Sequence, residues 1–208
     1  MIRFLHKRKS RHLADEDLMQ RVAEERCEWA FDELYQRYAQ RLMGFFYRMY
    51  HQDRERAADD CQETFMKVWH MRHQYNADFA FRPWLYTIAY NISRSYFRHA
   101  ELQEKYTVEQ SLRYEETDSD DSELKIDQET MRKALSEALA KLPTEQRTLF
   151  ALRYEEELTV AQVSQILDMP EGTVKSRLHR MLNYLKHELK DYERICTTNS
   201  KCSTGFTR

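Results

Sequence analysis

Glycine and proline are scarce in this chain, with three of each among 208 residues, against ordinary usage of about 7% and 5%. All-β folds need turn glycines and phosphate-cradling loops need several close together, so neither fits. Cysteine is also sparse. Cys27 and Cys61 fall within helical patterns, while Cys196 and Cys202 sit in a polar tail. That is no disulfide framework, and it suits a reducing compartment. No run approaches the roughly 18–20 apolar residues of a membrane span. The start carries Arg3, Lys7, Arg8, Lys9 and Arg11 with no apolar stretch behind them, so neither a signal peptide nor membrane insertion is expected. The expectation is a cytoplasmic, all-α protein.

What is present is charge, at 33% of residues, beside 41% hydrophobic residues, enough for a core. The net charge of −2 hides an asymmetry: residues 101–129 hold eleven acids against three bases. The segment around Tyr114–Ser122 is also poor in apolar residues, so it cannot bury enough surface to order itself. It reads as a flexible acidic linker between two small helical domains, either simply solvated or lying in a positively charged groove of a partner. The expected divisions are a basic extension over 1–14, a first domain over 15–99, the linker over 100–126, a second domain over 127–191 and a polar tail over 192–208.

Four helices are predicted before the linker. Asp15–Glu25 has acids in its first turn. The second buries Phe31, Leu34, Tyr35, Tyr38, Leu42, Phe45, Phe46 and Met49 at helical spacing. The third starts near Arg54 and buries Ala58, Cys61, Phe65, Val68 and Trp69. The fourth follows a loop over 73–80, with Pro83 tolerated in its first turn. Its core stripe is Phe81, Trp84, Leu85, Ile88 and Ile92. Tyr86, Tyr90 and Phe97 form a second stripe almost opposite, and Thr87, Asn91, Arg94 and Arg98 a third. Aromatics outside the core stripe, flanked by Asn and Arg, suit stacking of single-stranded bases and neutralisation of phosphates. Equally, the second stripe could pack on a neighbouring helix. Tyr75 and Phe79 in the preceding loop favour nucleic acid.

Four more helices are predicted after the linker. Residues 127–141 are amphipathic through Ile126, Met131, Leu135, Leu139 and Leu142, and Pro143 opens the next helix, running to about Glu155. A helix over 158–167 follows, with Thr159 as N-cap. The short turn Asp168-Met-Pro-Glu171 leads into a last helix reaching about Lys190. Two helices joined so tightly form a helix-turn-helix pattern. The last helix buries Val174, Leu178, Met181, Leu182, Leu185 and Leu189. Facing away are Ser176, His179, Arg180 and Asn183, flanked by Lys175 and Arg177, near the helix start where a recognition helix meets base edges. No nucleophile elbow, Walker loop or zinc-protease motif occurs. His70 with His73, or Cys196 with Cys202, fall short of four metal ligands. No enzyme activity, cofactor or metal is expected.

Taken together, the chain resembles a bacterial RNA polymerase sigma factor of the extracytoplasmic-function (ECF) type from about Asp15 to Lys190. The resemblance rests on Asp60-Cys-Gln-Glu-Thr-Phe-Met-Lys-Val-Trp69, Phe81-Arg-Pro-Trp-Leu-Tyr-Thr-Ile-Ala-Tyr-Asn91, Leu142-Pro-Thr-Glu-Gln-Arg147 and Gly172-Thr-Val-Lys-Ser-Arg177. It implies that the first domain is sigma region two and the second region four. By that resemblance Asp60, Gln62, Glu63 and Thr64 contact the clamp helices of the polymerase β′ subunit, and region four meets the β flap. Asn91, Tyr75 and Phe79 would capture the non-template strand of the minus-ten element, with one base flipped out at a cost of a few kcal/mol. Thr87, Arg94 and Arg98 lie along the same helix stripe. Lys175, Ser176, His179 and Arg180, with Arg177 beside them, would read the minus-thirty-five element as duplex. The linker would run through the RNA exit region, and a membrane-anchored anti-sigma factor is an expected partner.

One stretch departs from the family pattern: Val163-Ser-Gln-Ile-Leu-Asp168 stands where Ile-Ala and a closing Gly are usual. Ser164 is small enough for the helix crossing, and Asp168 tolerates left-handed backbone better than most residues. The competing readings are a stand-alone helix-turn-helix regulator and a helical adaptor that binds only protein. Both leave the run from Asp60 to Trp69 unexplained.

Overall fold

Eight α-helices, and no strand, make up the described residues. The computed structural model describes residues 13–50, 53–106 and 126–202, with side chains described for 13–50, 53–98 and 131–190. The sequence elements predicted as a basic extension and an acidic linker thus lie largely outside the described residues.

Helices α1 (Asp15–Glu25), α2 (Glu28–Met49), α3 (Arg54–His70) and α4 (Phe81–Tyr106) form the first lobe. Leu18, Met19 and Val22 of α1 and Leu34, Leu42, Phe45 and Phe46 of α2 are fully buried, and removing each side chain from water contributes about 1.5–3 kcal/mol. Asp15 pins α1 to α2 by accepting from Arg37 at 2.6 Å and from the Tyr38 hydroxyl. Glu16 accepts the Phe81 N–H at 2.9 Å, satisfying a donor at the start of α4 that the helix itself leaves open.

Some faces differ from the sequence reading. Tyr35 is 47% exposed, and in α3 the buried alanine is Ala57, one turn before Cys61, while Ala58 faces solvent. Helix α4 continues past the expected end of the first domain to Tyr106.

The second lobe contains α5 (Ile126–Ala140), α6 (Thr144–Phe150), α7 (Val160–Leu167) and α8 (Glu171–Cys202). Helix α6 continues as a π-turn over Ala151–Glu155. The best-buried residues of α5 are Ala134 and Ala138, with Met131, Leu135 and Leu139 only partly covered. Small residues there let α8 approach closely. Along α8, Val174, Leu178, Met181 and Leu185 are buried, but Leu182 is 41% exposed because it falls on the flank of the stripe. Helix α8 runs to Cys202, well beyond the predicted end near Lys190.

The lobes lie against one another, α4 on α7 and α2 on α6. This packing, together with aromatics of the first lobe itself, explains the second stripe of α4. Tyr86 is fully buried, its ring 5.4 Å from Phe45, and burial followed by the neighbouring Glu156 pushes its phenol pKa up. Tyr90 is half-buried near Glu145 and Arg177, and Phe97 packs 5.6 Å from Tyr50. The stripe is a packing surface in this state.

Candidate functional site

The predicted site residues lie in three regions. The first is on α3, whose N-terminus is capped by Asp53 accepting from the Arg56 N–H at 2.9 Å. Asp60 is only 1% exposed and Thr64 is fully buried. The Asp60 carboxylate takes the Tyr50 hydroxyl and pairs with Arg56 at 2.8 Å, while the Thr64 hydroxyl donates to the Asp60 carbonyl at 2.7 Å. Burial holds the Asp60 carboxyl above its ordinary pKa, against the opposing pull of Tyr50 and Arg56. The Arg56 guanidinium also lies over the Tyr96 ring at 4.5 Å. Asp60 and Thr64, expected to touch a partner, have both side chains pointing inward, where they hold the α2–α3–α4 junction.

Gln62 and Glu63 do face outward, Glu63 pairing with Lys67 at 3.0 Å. Beside them Met66 is 53% exposed at the rim of an apolar groove of about 280 Å³. Phe31, Tyr35, Phe65 and Trp69 line it. The Tyr35 and Phe65 rings stand 4.6 Å apart, and Phe31 meets Trp69 edge-on at 5.2 Å. Sequence reading missed this groove because Tyr35 and Phe65 fit a core stripe equally well.

The second face is the loop before α4. Tyr75 is half-buried, its ring 5.1 Å from Trp84 and 6.0 Å from Phe81. Its hydroxyl donates to the Phe79 carbonyl at 2.7 Å. Asn76 closes the turn, its side-chain oxygen accepting from Asp78 N–H at 2.9 Å and its carbonyl from Phe79 N–H at 3.1 Å. Phe79 is left 66% exposed at the tip of this braced loop. The two loop aromatics thus have different positions: Tyr75 is a support and Phe79 is presented. On α4, Asn91, Arg94 and Arg98 are exposed, whereas Thr87 is half-buried and its hydroxyl donates to the Pro83 carbonyl at 2.8 Å.

The third face is the helix-turn-helix. Thr159 and Gln162 form a reciprocal capping box at the start of α7, with bonds of 3.2 and 2.9 Å. Asp168 closes α7 in the left-handed region, φ 52° and ψ 49°. Ser164 donates to the Met169 carbonyl across the turn. Pro170 then accepts the Thr173 and Val174 N–H groups as α8 begins. Lys175, Ser176, His179 and Arg180 are exposed together on the first turns of α8. Asn183 donates to His179 Nε2 at 3.1 Å. Arg177 is set apart, paired with Glu145 at 2.6 Å.

Residues of the inter-lobe seam were not singled out in the sequence. Arg41 pairs with Glu156 at 3.1 Å, Arg48 with Glu155, and Arg82 donates to the Glu156 carbonyl at 2.7 Å. The signal was available: three consecutive acids, Glu155 to Glu157, end a helix in one lobe, and arginines recur along α2 in the other. No group of three or more metal-ligating side chains occurs among the described residues, and no helix among them is long and apolar enough to cross a membrane.

Comparison with known proteins agrees with this layout. Residues 34–102 match the family model Sigma-70 region 2, and residues 132–185 match Sigma-70, region 4. The chain is 28% identical over 189 residues to the ECF RNA polymerase sigma-E factor of Haemophilus influenzae, covering 86% of this chain and 96% of the relative. It is 31% identical over 159 residues to the ECF RNA polymerase sigma factor SigL of Mycobacterium tuberculosis, covering 74% and 82%. Its fold is similar to that of the sigma factor RpoE in complex with the anti-sigma factor NepR from Bartonella quintana, with TM-score 0.57, 23% identity, and coverage of 77% and 96%. The chain belongs to the ECF RNA polymerase sigma factors, which direct transcription initiation.

Proposed function

We propose that this chain is a dissociable subunit whose two lobes, over about 15–99 and 127–191, read two promoter elements while the first lobe clasps core polymerase. Gln62 and Glu63, with Met66 and the apolar groove beside them, form the face for the β′ clamp helices. Asp60 and Thr64 act through them by fixing α3. Phe79 on its braced loop, with Thr87, Asn91, Arg94 and Arg98, holds the displaced minus-ten strand, and Tyr75 supports the loop. Lys175, Ser176, His179 and Arg180 read the minus-thirty-five duplex, each good base contact giving about 1–3 kcal/mol of discrimination. Arg177 orients α8 through Glu145.

The observation that carries this reading is the exposed polar and basic face at the start of α8, directly after a capped α7 and its tight turn. Bond-making chemistry stays with the polymerase, so the chain itself works by binding, in the cytoplasm. An anti-sigma factor, membrane-anchored, is its regulatory partner. A mobility-shift titration separates this reading from a stand-alone regulator. Promoter duplex is expected to shift only when core polymerase and the chain are present together; tight shifting by the chain alone would favour the regulator.

A further inference from the structure

The exposed face of α8 has some of its hydrogen bonds already made within the helix. Ser176 turns its hydroxyl hydrogen inward, donating to the Thr173 carbonyl at 3.0 Å, and Lys175 lies 3.5 Å from Glu171. Arg180 anchors its Nε on the Ser176 carbonyl at 3.5 Å. Beside them stands His179, exposed, with its Nε2 3.1 Å from the Asn183 amide nitrogen one turn further along. Val174, Leu178, Met181 and Leu185 bury the opposite side of the helix, so the ring is carried on a rigid element rather than on a loop.

An amide nitrogen only donates, so the Nε2 it meets is an acceptor. A neutral imidazole holds one proton, and with Nε2 accepting, that proton sits on Nδ1. Among the described residues no acceptor meets Nδ1. The ring therefore offers one N–H outward, in a fixed tautomer. A carboxylate at position 183 would do the opposite, because it only accepts and would draw a proton onto Nε2. Bases tell the two forms apart. In the major groove guanine, adenine and thymine each present an acceptor, whereas cytosine presents only its N4 donor. An imidazole N–H facing cytosine sets donor against donor.

We propose that Asn183 is a specificity-determining positioning residue: by holding His179 in its Nδ1–H form, it makes α8 reject cytosine at one position of the duplex it reads. The base preference rests on the assignment of α8 to the minus-thirty-five element; the tautomer does not. One hydrogen bond of this kind is expected to give about two- to tenfold discrimination, through the direction of a hydrogen bond rather than through charge.

The test has two arms, both on the full-length chain. Long-range nitrogen–proton NMR correlation of the isotope-labelled chain at pH 8, where an ordinary imidazole is neutral, reads which ring nitrogen carries the proton. His179→Gln identifies the His179 signal by its loss. The wild-type ring is expected to be protonated on Nδ1. Asn183→Ala is expected to release it to a mixture of tautomers, and in Asn183→Asp a proton is expected on Nε2. The second arm selects promoters with the holoenzyme from a pool randomised across the minus-thirty-five element. The wild type is expected to disfavour cytosine about two- to tenfold at one position. Asn183→Ala and His179→Ala are expected to lose that preference at the same position, with the other positions and the circular dichroism melting curve of Asn183→Ala unchanged. A wild-type ring protonated on Nε2, or an unchanged tautomer in Asn183→Ala, overturns the proposal while the reading face stands. A lowered melting temperature in Asn183→Ala with equal loss at every position makes Asn183 a structural residue and also overturns it. If the tautomers respond as expected but His179→Ala selects the same bases at every position, the reading face is misassigned and the proposal falls with it.

Discussion

The Arg48 guanidinium of the first lobe meets the Glu155 carboxylate of the second, joining residues 107 positions apart in the chain. Burial raises the Glu155 pKa above its ordinary value, outweighing the opposing attraction of Arg48, with Glu156 raising it further. The pair therefore sets register more than it supplies net stability, as expected when desolvation exceeds Coulombic gain.

Because the Glu155 pKa is raised where the lobes pack, its contribution to that packing is full below the ordinary carboxylate value. It is lost as pH rises through the raised one. Glu155→Gln, which keeps the shape and removes the charge, is expected to leave the radius of gyration at pH 7.5 unchanged or smaller. It should also flatten the dependence of that radius on pH above the ordinary carboxylate range. A clear expansion of Glu155→Gln at pH 7.5 would show that the ion pair itself holds the lobes.

The loop aromatics separate stability from function. Tyr75→Ala removes a ring packed on Trp84 and Phe81 and is expected to cost about 1–3 kcal/mol. That is a fall of roughly 2–4 °C in melting temperature for each kcal/mol. Phe79→Ala, at an exposed tip, is expected to stay within about 0.5 kcal/mol of wild type while impairing promoter opening, read by permanganate footprinting. Equal melting losses in both variants would contradict the division of roles.

Asp60 gives a third contrast. Asp60→Asn keeps an oxygen for the Tyr50 hydroxyl and sheds a buried charge, so the melting temperature should change little. Asp60→Ala leaves Tyr50 and Arg56 without their acceptor, at about 1–3 kcal/mol. Polymerase affinity should follow stability for both, because the side chain is buried. A loss of affinity in a fully stable Asp60→Asn variant would restore the residue to the contact surface.

Cys61 donates to the Ala39 carbonyl at 3.6 Å, and burial pushes its thiol pKa up to about 11. Alkylation by iodoacetamide at pH 8, followed by peptide mass spectrometry, should leave Cys61 unmodified in the native protein and modify it in urea. The raised pKa stabilises the fold fully below the ordinary thiol value, and this stabilisation is lost as pH rises through about 11. Rapid native modification would contradict the packing of α3 on α2.

Most helices were legible because their apolar spacing is regular and their ends carry chemistry, as with Thr159 and Asp168. The Lys175–Arg180 face was legible for the same reason: its polar residues interrupt a clear stripe. What escaped was whatever depended on a third body. Tyr86 looked like a spare aromatic because the lobe that covers it is distant in sequence. Asp60, a carboxylate on a charged helix, gave no sign that Tyr50 and Arg56 would draw it inward. Met66 and its groove were hidden because aromatic spacing on α2 and α3 cannot distinguish a covered face from an open one.

Run-off transcription with purified core polymerase and a pool of genomic fragments tests the central claim most directly. Discrete promoter-dependent transcripts are expected only when the chain is added, and Arg180→Ala should change which fragments are chosen. No added transcript from any fragment, with active core polymerase, would contradict the account.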